Sequence, residues 1–149
     1  IRINNKALTL DNIEHDIIRK EFGEPRIHFA LVCAAMGCPP LRSEAYIAAR
    51  LNDQLQDQGV KFIRQSPSKN RVDLAGKTLY VSLIFNYYKK DFGGSAQSVG
   101  RYLAPWYPSG SPERAFLEKG EYTFTETPYD WTLNSVQQAR AQLVTTVLR

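Results

Sequence analysis

Cys38 is the residue whose type and position most clearly offer chemistry, because it follows a nearly all-apolar run and precedes two prolines. The apolar run, residues 27–35, predicts a buried strand, and Pro39 and Pro40 fit the first turn of a helix. A cysteine at a helix N-terminus meets unpaired N–H groups and the positive end of the helix dipole, which favour the thiolate. We therefore predict Cys38 as a nucleophile. Alternatively, Cys38 has only a structural role, as a small apolar residue in a tight turn. Cys33 is expected to lie in the core.

A cysteine nucleophile needs a general base within reach, and the sequence has two histidines, His15 and His28. If the intervening run is extended, at about 3.3 Å per residue, His28 lies about 30 Å along the chain from Cys38. The predicted helix over residues 11–22 is followed by a short turn, so the next strand should run back beside it. This path brings Cys38 towards His15, the predicted base, and towards Glu14, a carboxylate that would orient it.

Both histidines also have structural interpretations. At i±4 spacing on an exposed helix face, His15 pairs with Asp11 and Arg19. In a buried strand, His28 is a hydrogen-bonded core histidine. We place His28 and Arg19 among the residues that would support the site or bind at it.

A second candidate region lies near the end of the chain, in residues 129–134. Aromatic area and hydrogen-bonding groups in a non-helical stretch are typical of ligand pockets. We therefore predict binding roles for Asp130, Trp131 and Asn134, with Asp130 as a second candidate for the orienting acid. The alternative is a structural turn in which the Asp side chain bonds the backbone.

Composition excludes several functional classes. The formal charge of +4 is carried by cations scattered along the chain, which argues against a nucleic-acid partner. Two cysteines and two histidines are too few for a disulfide-stapled scaffold or a structural zinc site, and no cofactor is expected. No apolar run is long enough to span a membrane.

At 149 residues the chain is expected to form a single domain. Hydrophobic periodicity and turn residues predict a mixed α+β fold, a small sheet with hairpins packed by several helices. The predicted elements are a hairpin over residues 1–10, helix 11–22, strand 27–35, a long helix from 38 towards 63 that Gly59 would interrupt, a hairpin over 72–81, an aromatic helix from Ser82, helices at 95–103 and from Ser111, a strand at Tyr122 and Phe124, and a last helix from Ser135 through Val147.

Five separated segments resemble the domain of unknown function 547 family, in the same order. They are residues 13–15, 26–31 (RIHFAL), 37–41 (GCPPL), 82–85 with Tyr88, Asp91 and Phe92, and 129–134 (YDWTLN). The resemblance implies a relation to papain-like and transglutaminase-like hydrolases, an upstream segment before Ile1 that would contribute to the domain, and a bacterial, extracytoplasmic location.

Two functional hypotheses follow. The first is a cysteine-dependent hydrolase or transferase acting on an amide or thioester of a peptide or small molecule, in which backbone N–H groups after Cys38 would stabilise the oxyanion. The second is a non-catalytic binding module of a bacterial envelope or signalling protein. It would use residues 129–134 together with an aromatic patch of Phe85, Tyr87 and Tyr88.

Overall fold

The computed structural model describes residues 1–135, so the predicted last helix lies outside the described residues except for Ser135. The chain begins with an antiparallel hairpin, β1 (Arg2–Ile3) and β2 (Lys6–Ala7). Asn4 and Asn5 form its turn with φ of 48° and 63°, a left-handed conformation that Asn tolerates better than most residues. The predicted N-terminal hairpin is confirmed.

A three-stranded sheet forms the second β unit, with strand order β3-β4-β5. Strands β3 (Arg71–Asp73) and β4 (Thr78–Ser82) form the predicted second hairpin, with Val72 opposite Leu79. Strand β5 (Thr123–Thr127) lies parallel to β4 on its other side. The two small sheets and the helices around them confirm the predicted mixed α+β class.

Helices make up most of the remaining regular structure. The α-helices are α1 (Ile27–Ala30), α2 (Leu51–Ile63), α3 (Ile84–Tyr87), α4 (Ala96–Leu103) and α5 (Pro112–Lys119). Short 3₁₀ turns occupy Ala48–Arg50, Lys89–Phe92 and Ala104–Trp106. The side chains of Ser95 and Ser111 accept N-capping hydrogen bonds from Ser98 and Arg114, so these predicted helix starts are confirmed.

The predicted helix near the N-terminus is present as a π-helix, Asn12–Phe22. Its start is capped by reciprocal bonds between Thr9 and Asn12, and it ends at Gly23, which has a left-handed φ of 56°. The Asp11 side chain makes no capping hydrogen bond, so Asp11 and Glu14 do not form a capping box. The Glu14 side chain is therefore available for contacts across the fold.

The core lies between the helices and one face of β4. The Phe29 ring packs against Phe62 and Phe85 at centroid distances of 5.3 and 5.9 Å, and all three rings are fully buried. Gly59 does not interrupt α2. Instead, the indole of Trp106 lies so close to the Gly59 backbone that a Cβ there would collide with the ring.

The chain on both sides of Cys38 differs from the prediction. Residues 27–30 form helix α1, not a strand, and no helix begins at Cys38, because the chain stays irregular until Ala48. The apolar run has two environments: α1 packs into the core, whereas residues 31–33 line a cavity. Pro39 and Pro40 lie in irregular chain and have no N–H groups to donate. The helix-dipole argument for Cys38 is therefore wrong.

Candidate functional site

One cavity among the described residues has a volume of about 420 Å³. It lies between the π-helix, the segment that follows α1, helix α3 and the segment after β5. Its apolar lining includes Leu10, Ile13, Ile18, Leu31, Val32 and Ile84, and its polar lining consists of Glu14, His28, Cys33, Cys38 and the tyrosines Tyr87, Tyr88 and Tyr129. Both cysteines and one histidine therefore face a single chamber.

The two cysteines are brought together by a turn at Ala34, whose φ of 60° is left-handed. The backbone N–H of Cys33 donates to the Cys38 sulfur at 3.0 Å. The Tyr129 hydroxyl lies 3.1 Å from the Cys38 sulfur and 3.5 Å from the Cys33 sulfur. Cys38 is 6% exposed, whereas Cys33 is exposed, so the expected core position of Cys33 is wrong.

Tyr129 is held in place by pairing between two segments of irregular chain. The N–H of Met36 donates to Thr132 at 2.9 Å, and the N–H of Gly37 donates to Asp130 at 2.8 Å. A Cβ at Gly37 would lie 2.9 Å from the Tyr129 ring and from the Asp130 nitrogen. This position therefore requires glycine, because the two segments approach closely.

His28 also lines the chamber, and its side chain is almost completely buried. Its Nε2 lies 2.7 Å from Asp91 Oδ2, and its ring stacks on Tyr88 with centroids 3.8 Å apart. Arg19 donates to both Asp91 oxygens, at 2.8 and 3.0 Å. Because an ionised carboxylate only accepts hydrogen bonds, Nε2 carries the proton in neutral His28. Nδ1 then holds the free electron pair, and it makes no hydrogen bond within residues 1–135.

The burial of His28 favours this neutral form. Burial lowers the pKa of His28, and the opposing effect of Asp91 only partly offsets it. The hydrogen bonds from Arg19 hold the pKa of Asp91 below its ordinary value. The result is an ionised carboxylate that orients a neutral imidazole.

His15 lies outside the lining of the chamber that Cys38 and His28 share. Its Nδ1 lies 3.1 Å from Arg19 and its Nε2 lies 3.5 Å from Asp11, and it does not line the cavity. This is the i±4 arrangement that the sequence offered as the alternative. The apolar run is folded back as helix and turn rather than extended, so His28, not His15, faces the chamber with Cys38.

Glu14 lies in the chamber, but it has another partner. Its carboxylate accepts a hydrogen bond from the Tyr88 hydroxyl at 3.1 Å, and it lies 4.0 Å from the His15 ring. Burial, reinforced by the Glu14 charge, raises the pKa of Tyr88 to about 12. Glu14 therefore fixes the tyrosine on which His28 stacks.

Residues 129–134 fit partly the predicted binding role and partly the alternative of a structural turn. Asp130 accepts from the N–H and hydroxyl of Thr132 at 2.9 and 2.5 Å, which is the structural-turn arrangement. Trp131 lines the cavity, is 68% exposed, and packs on Tyr129 at 4.6 Å. Asn134 donates its backbone N–H to Ala34 and does not line the cavity. Trp131 alone of these three residues lies at the chamber.

The expected oxyanion donors after Cys38 are absent, because Pro39 and Pro40 have no N–H groups. The N–H of Cys38 itself donates to Ala35 at 3.1 Å. Two donors lie next to the Cys38 sulfur, the Cys33 N–H at 3.0 Å and, at 3.1 Å, the Tyr129 hydroxyl. Its pKa is raised by burial and by its bonds to both cysteines, so the proton stays on oxygen.

Lys69 is a further site residue that no sequence pattern indicated. Its ammonium group donates to the carbonyl oxygen of Cys38. Burial lowers the pKa of Lys69, although the neighbouring Cys38 and Asp130 oppose the shift. Lys69 thus fixes the backbone that carries the thiol. Asp91, in contrast, lies in one of the segments that carry the family resemblance.

Within residues 1–135, no three His, Cys, Asp or Glu side chains cluster in a way that could hold a metal ion. In the same range, no helix has the length and apolar character needed to cross a membrane.

The fold and the site define a mixed α+β domain with a thiol- and histidine-lined chamber. Residues 1–63 match a family described as "Protein of unknown function, DUF547". The match includes His28 and both cysteines, and it supports the resemblance for the three segments inside it. No curated protein and no solved structure matches the chain.

Proposed function

We propose that the protein is a cysteine-dependent hydrolase or transferase acting on an amide or thioester, with Cys38 as nucleophile. His28, oriented by Asp91, replaces His15 as the general base. The observation that carries the proposal is the shared chamber wall, in which Cys38 and His28 both face the cavity and Asp91 holds His28 Nε2 at 2.7 Å.

The tautomer of His28 suits the role of base. A carboxylate on one ring nitrogen fixes the imidazole and leaves the other nitrogen to exchange a proton with the nucleophile, as in Cys-His-acid arrangements. Asp91 occupies Nε2, which leaves Nδ1 as the nitrogen available to accept a proton. The stacked Tyr88 ring limits rotation of the imidazole about this position.

The reaction follows from these groups. The Cys38 sulfur attacks the carbonyl carbon and its proton moves to His28, while the Tyr129 hydroxyl donates towards the developing oxyanion. His28 then protonates the leaving amine or thiolate, and the C–N or C–S bond breaks. Water or an acceptor nucleophile, deprotonated by His28, releases the acyl group from Cys38.

The lining of the chamber supports a proposal for the substrate class. Apart from Glu14 and His28, the wall consists of aliphatic side chains, cysteines and aromatic rings. An apolar acyl group or apolar side chain beside the scissile bond gains the most from burial there. Glu14 disfavours an anionic group at the same place.

The test is acylation of the complete chain by a short-chain acyl thioester, followed by mass spectrometry. We expect an acyl adduct on Cys38 that Cys38→Ser abolishes and Cys33→Ser retains. His28→Gln should slow acylation by about 10²–10⁴-fold, as for loss of a general base, whereas His15→Gln should leave the rate unchanged. An adduct confined to Cys33, or equal rates in the two histidine variants, would overturn the proposal.

The second candidate remains a non-catalytic binding module, which the exposed aromatic rim favours. Trp131 and Tyr87 are 68% and 52% exposed at the chamber. In this case, an apolar ligand would change Trp131 fluorescence in wild-type protein and in Cys38→Ser equally, and no acyl adduct would form.

A further inference from the structure

The two thiols of the chamber lie close together and in different environments. Both sulfurs contact the Tyr129 hydroxyl, and the N–H of Cys33 contacts the Cys38 sulfur. The left-handed Ala34 turns the chain so that residues five positions apart meet. Cys33 is exposed, whereas Cys38 is buried.

We propose that Cys33 and Cys38 are a redox pair that forms a reversible disulfide with a small-molecule disulfide such as oxidised glutathione. Cys33 is the residue that the oxidant reaches, and Cys38 is the residue that resolves the mixed disulfide. Disulfide formation does not depend on the proposed hydrolase activity. The effect of the disulfide on catalysis does rest on that proposed activity, because the disulfide would remove the nucleophile Cys38.

The difference in exposure sets the order of the two steps. The Cys33 thiolate attacks one sulfur of oxidised glutathione, so that a mixed disulfide forms and one glutathione leaves as thiolate. The Cys38 thiolate then attacks the Cys33 sulfur, the protein disulfide forms and the second glutathione leaves. The two protein thiols lose two electrons, oxidised glutathione gains them, and the thiol protons end on the two glutathione molecules.

The environment of Cys33 supports its role as the first residue. Burial raises the pKa of the Cys33 thiol, but hydrogen bonds with Cys38 and Tyr129 outweigh it, and the net pKa is lowered. A larger thiolate fraction on an exposed sulfur favours attack on a small disulfide. The Cys38 sulfur lies beside the mixed disulfide that results, so resolution is intramolecular.

The geometry also limits which products can form. A disulfide requires Cβ atoms about 3.5–4.5 Å apart, which demands neighbouring backbones. The contact of the Cys33 N–H with the Cys38 sulfur already brings these backbones together. An intramolecular bond is therefore expected in preference to dimers through the exposed thiol.

The experiment incubates the complete wild-type chain in glutathione redox buffers, blocks remaining thiols with maleimide and measures the intact mass. We expect both thiols to be lost together, without bound glutathione and without dimers, and to return on reduction. Cys38→Ser should accumulate glutathione on Cys33, and Cys33→Ser should stay largely unmodified. Independent glutathionylation of both cysteines, or disulfide-linked dimers of wild type, would overturn the proposal. Acylation by a thioester, measured separately in reduced protein, reports on the hydrolase hypothesis alone.

Discussion

Asp91 lies in the 3₁₀ turn Lys89–Phe92 and contacts Arg19 of the π-helix and His28 of α1. The variant Asp91→Asn tests whether these contacts position His28. The carboxylate accepts two hydrogen bonds from Arg19 and one from His28 Nε2. Asn keeps the size of the side chain but removes the charge and one acceptor oxygen. His28 is buried and Asp91 is only 26% exposed, so water replaces the lost bonds incompletely.

The expected cost follows from these contacts. A hydrogen bond to a charged group is worth about 1.5–3 kcal/mol when it is lost in a partly buried setting. We expect Asp91→Asn to lower the free energy of unfolding by about 2–3 kcal/mol, since Asn retains one of the acceptor positions. It should also lower the pKa of His28 further, because the carboxylate is the group that opposes the effect of burial.

Urea denaturation followed by tryptophan fluorescence measures the first quantity, and histidine NMR titration measures the second. The matched control is Asp16→Asn, which breaks a 2.7 Å ion pair with Lys20 on the exposed side of the π-helix. Such surface pairs contribute little to stability. If both variants lose the same stability, or if the pKa of His28 rises in Asp91→Asn, the proposed role of Asp91 is refuted.

Three further predictions address the pH response, the cysteine turn and the close approach at Tyr129. Burial lowers the pKa of His28 in the folded chain, so the unfolded chain binds more protons below about pH 6.5, and the free energy of unfolding should decrease as the pH is lowered there. We expect His28 to titrate by NMR below about pH 6.5, and His28→Gln to show a smaller pH effect than wild type. Ala34→Gly should raise the free energy of unfolding by about 1 kcal/mol, because a residue with a side chain is strained at φ of 60°. A lower free energy of unfolding in urea denaturation would contradict the left-handed conformation of Ala34. Gly37→Ala should push Tyr129 away from the sulfurs and so raise the pKa of Cys33, which iodoacetamide labelling would report as a shift of its pH profile to higher pH. Tyr129→Phe, which leaves Gly37 unchanged, should shift the labelling profile in the same direction.

Several elements were predictable because residues close in sequence determine them. Asn4 and Asn5 provide the left-handed turn of the first hairpin, Gly23 ends the π-helix, and Ser95 and Ser111 cap their helices. Each of these features depends on backbone preference or on a bond to a residue three positions away. Cys38 was predicted as a candidate because of its type, and it does line the cavity, but the helix that was expected to activate it does not form.

The tertiary structure alone decided which side chains surround the cavity that Cys38 lines. Residues 27–35 are a short apolar run, which periodicity cannot assign to strand or helix, and the strand assignment placed His28 too far away. The fold turns this run into α1 and a cavity wall, and so brings His28 to the chamber instead of His15. The bonds from His28 to Asp91 and from Cys38 to Tyr129 span 63 and 91 positions. Contacts over such separations depend on how whole elements pack, and no local pattern in the sequence encodes them.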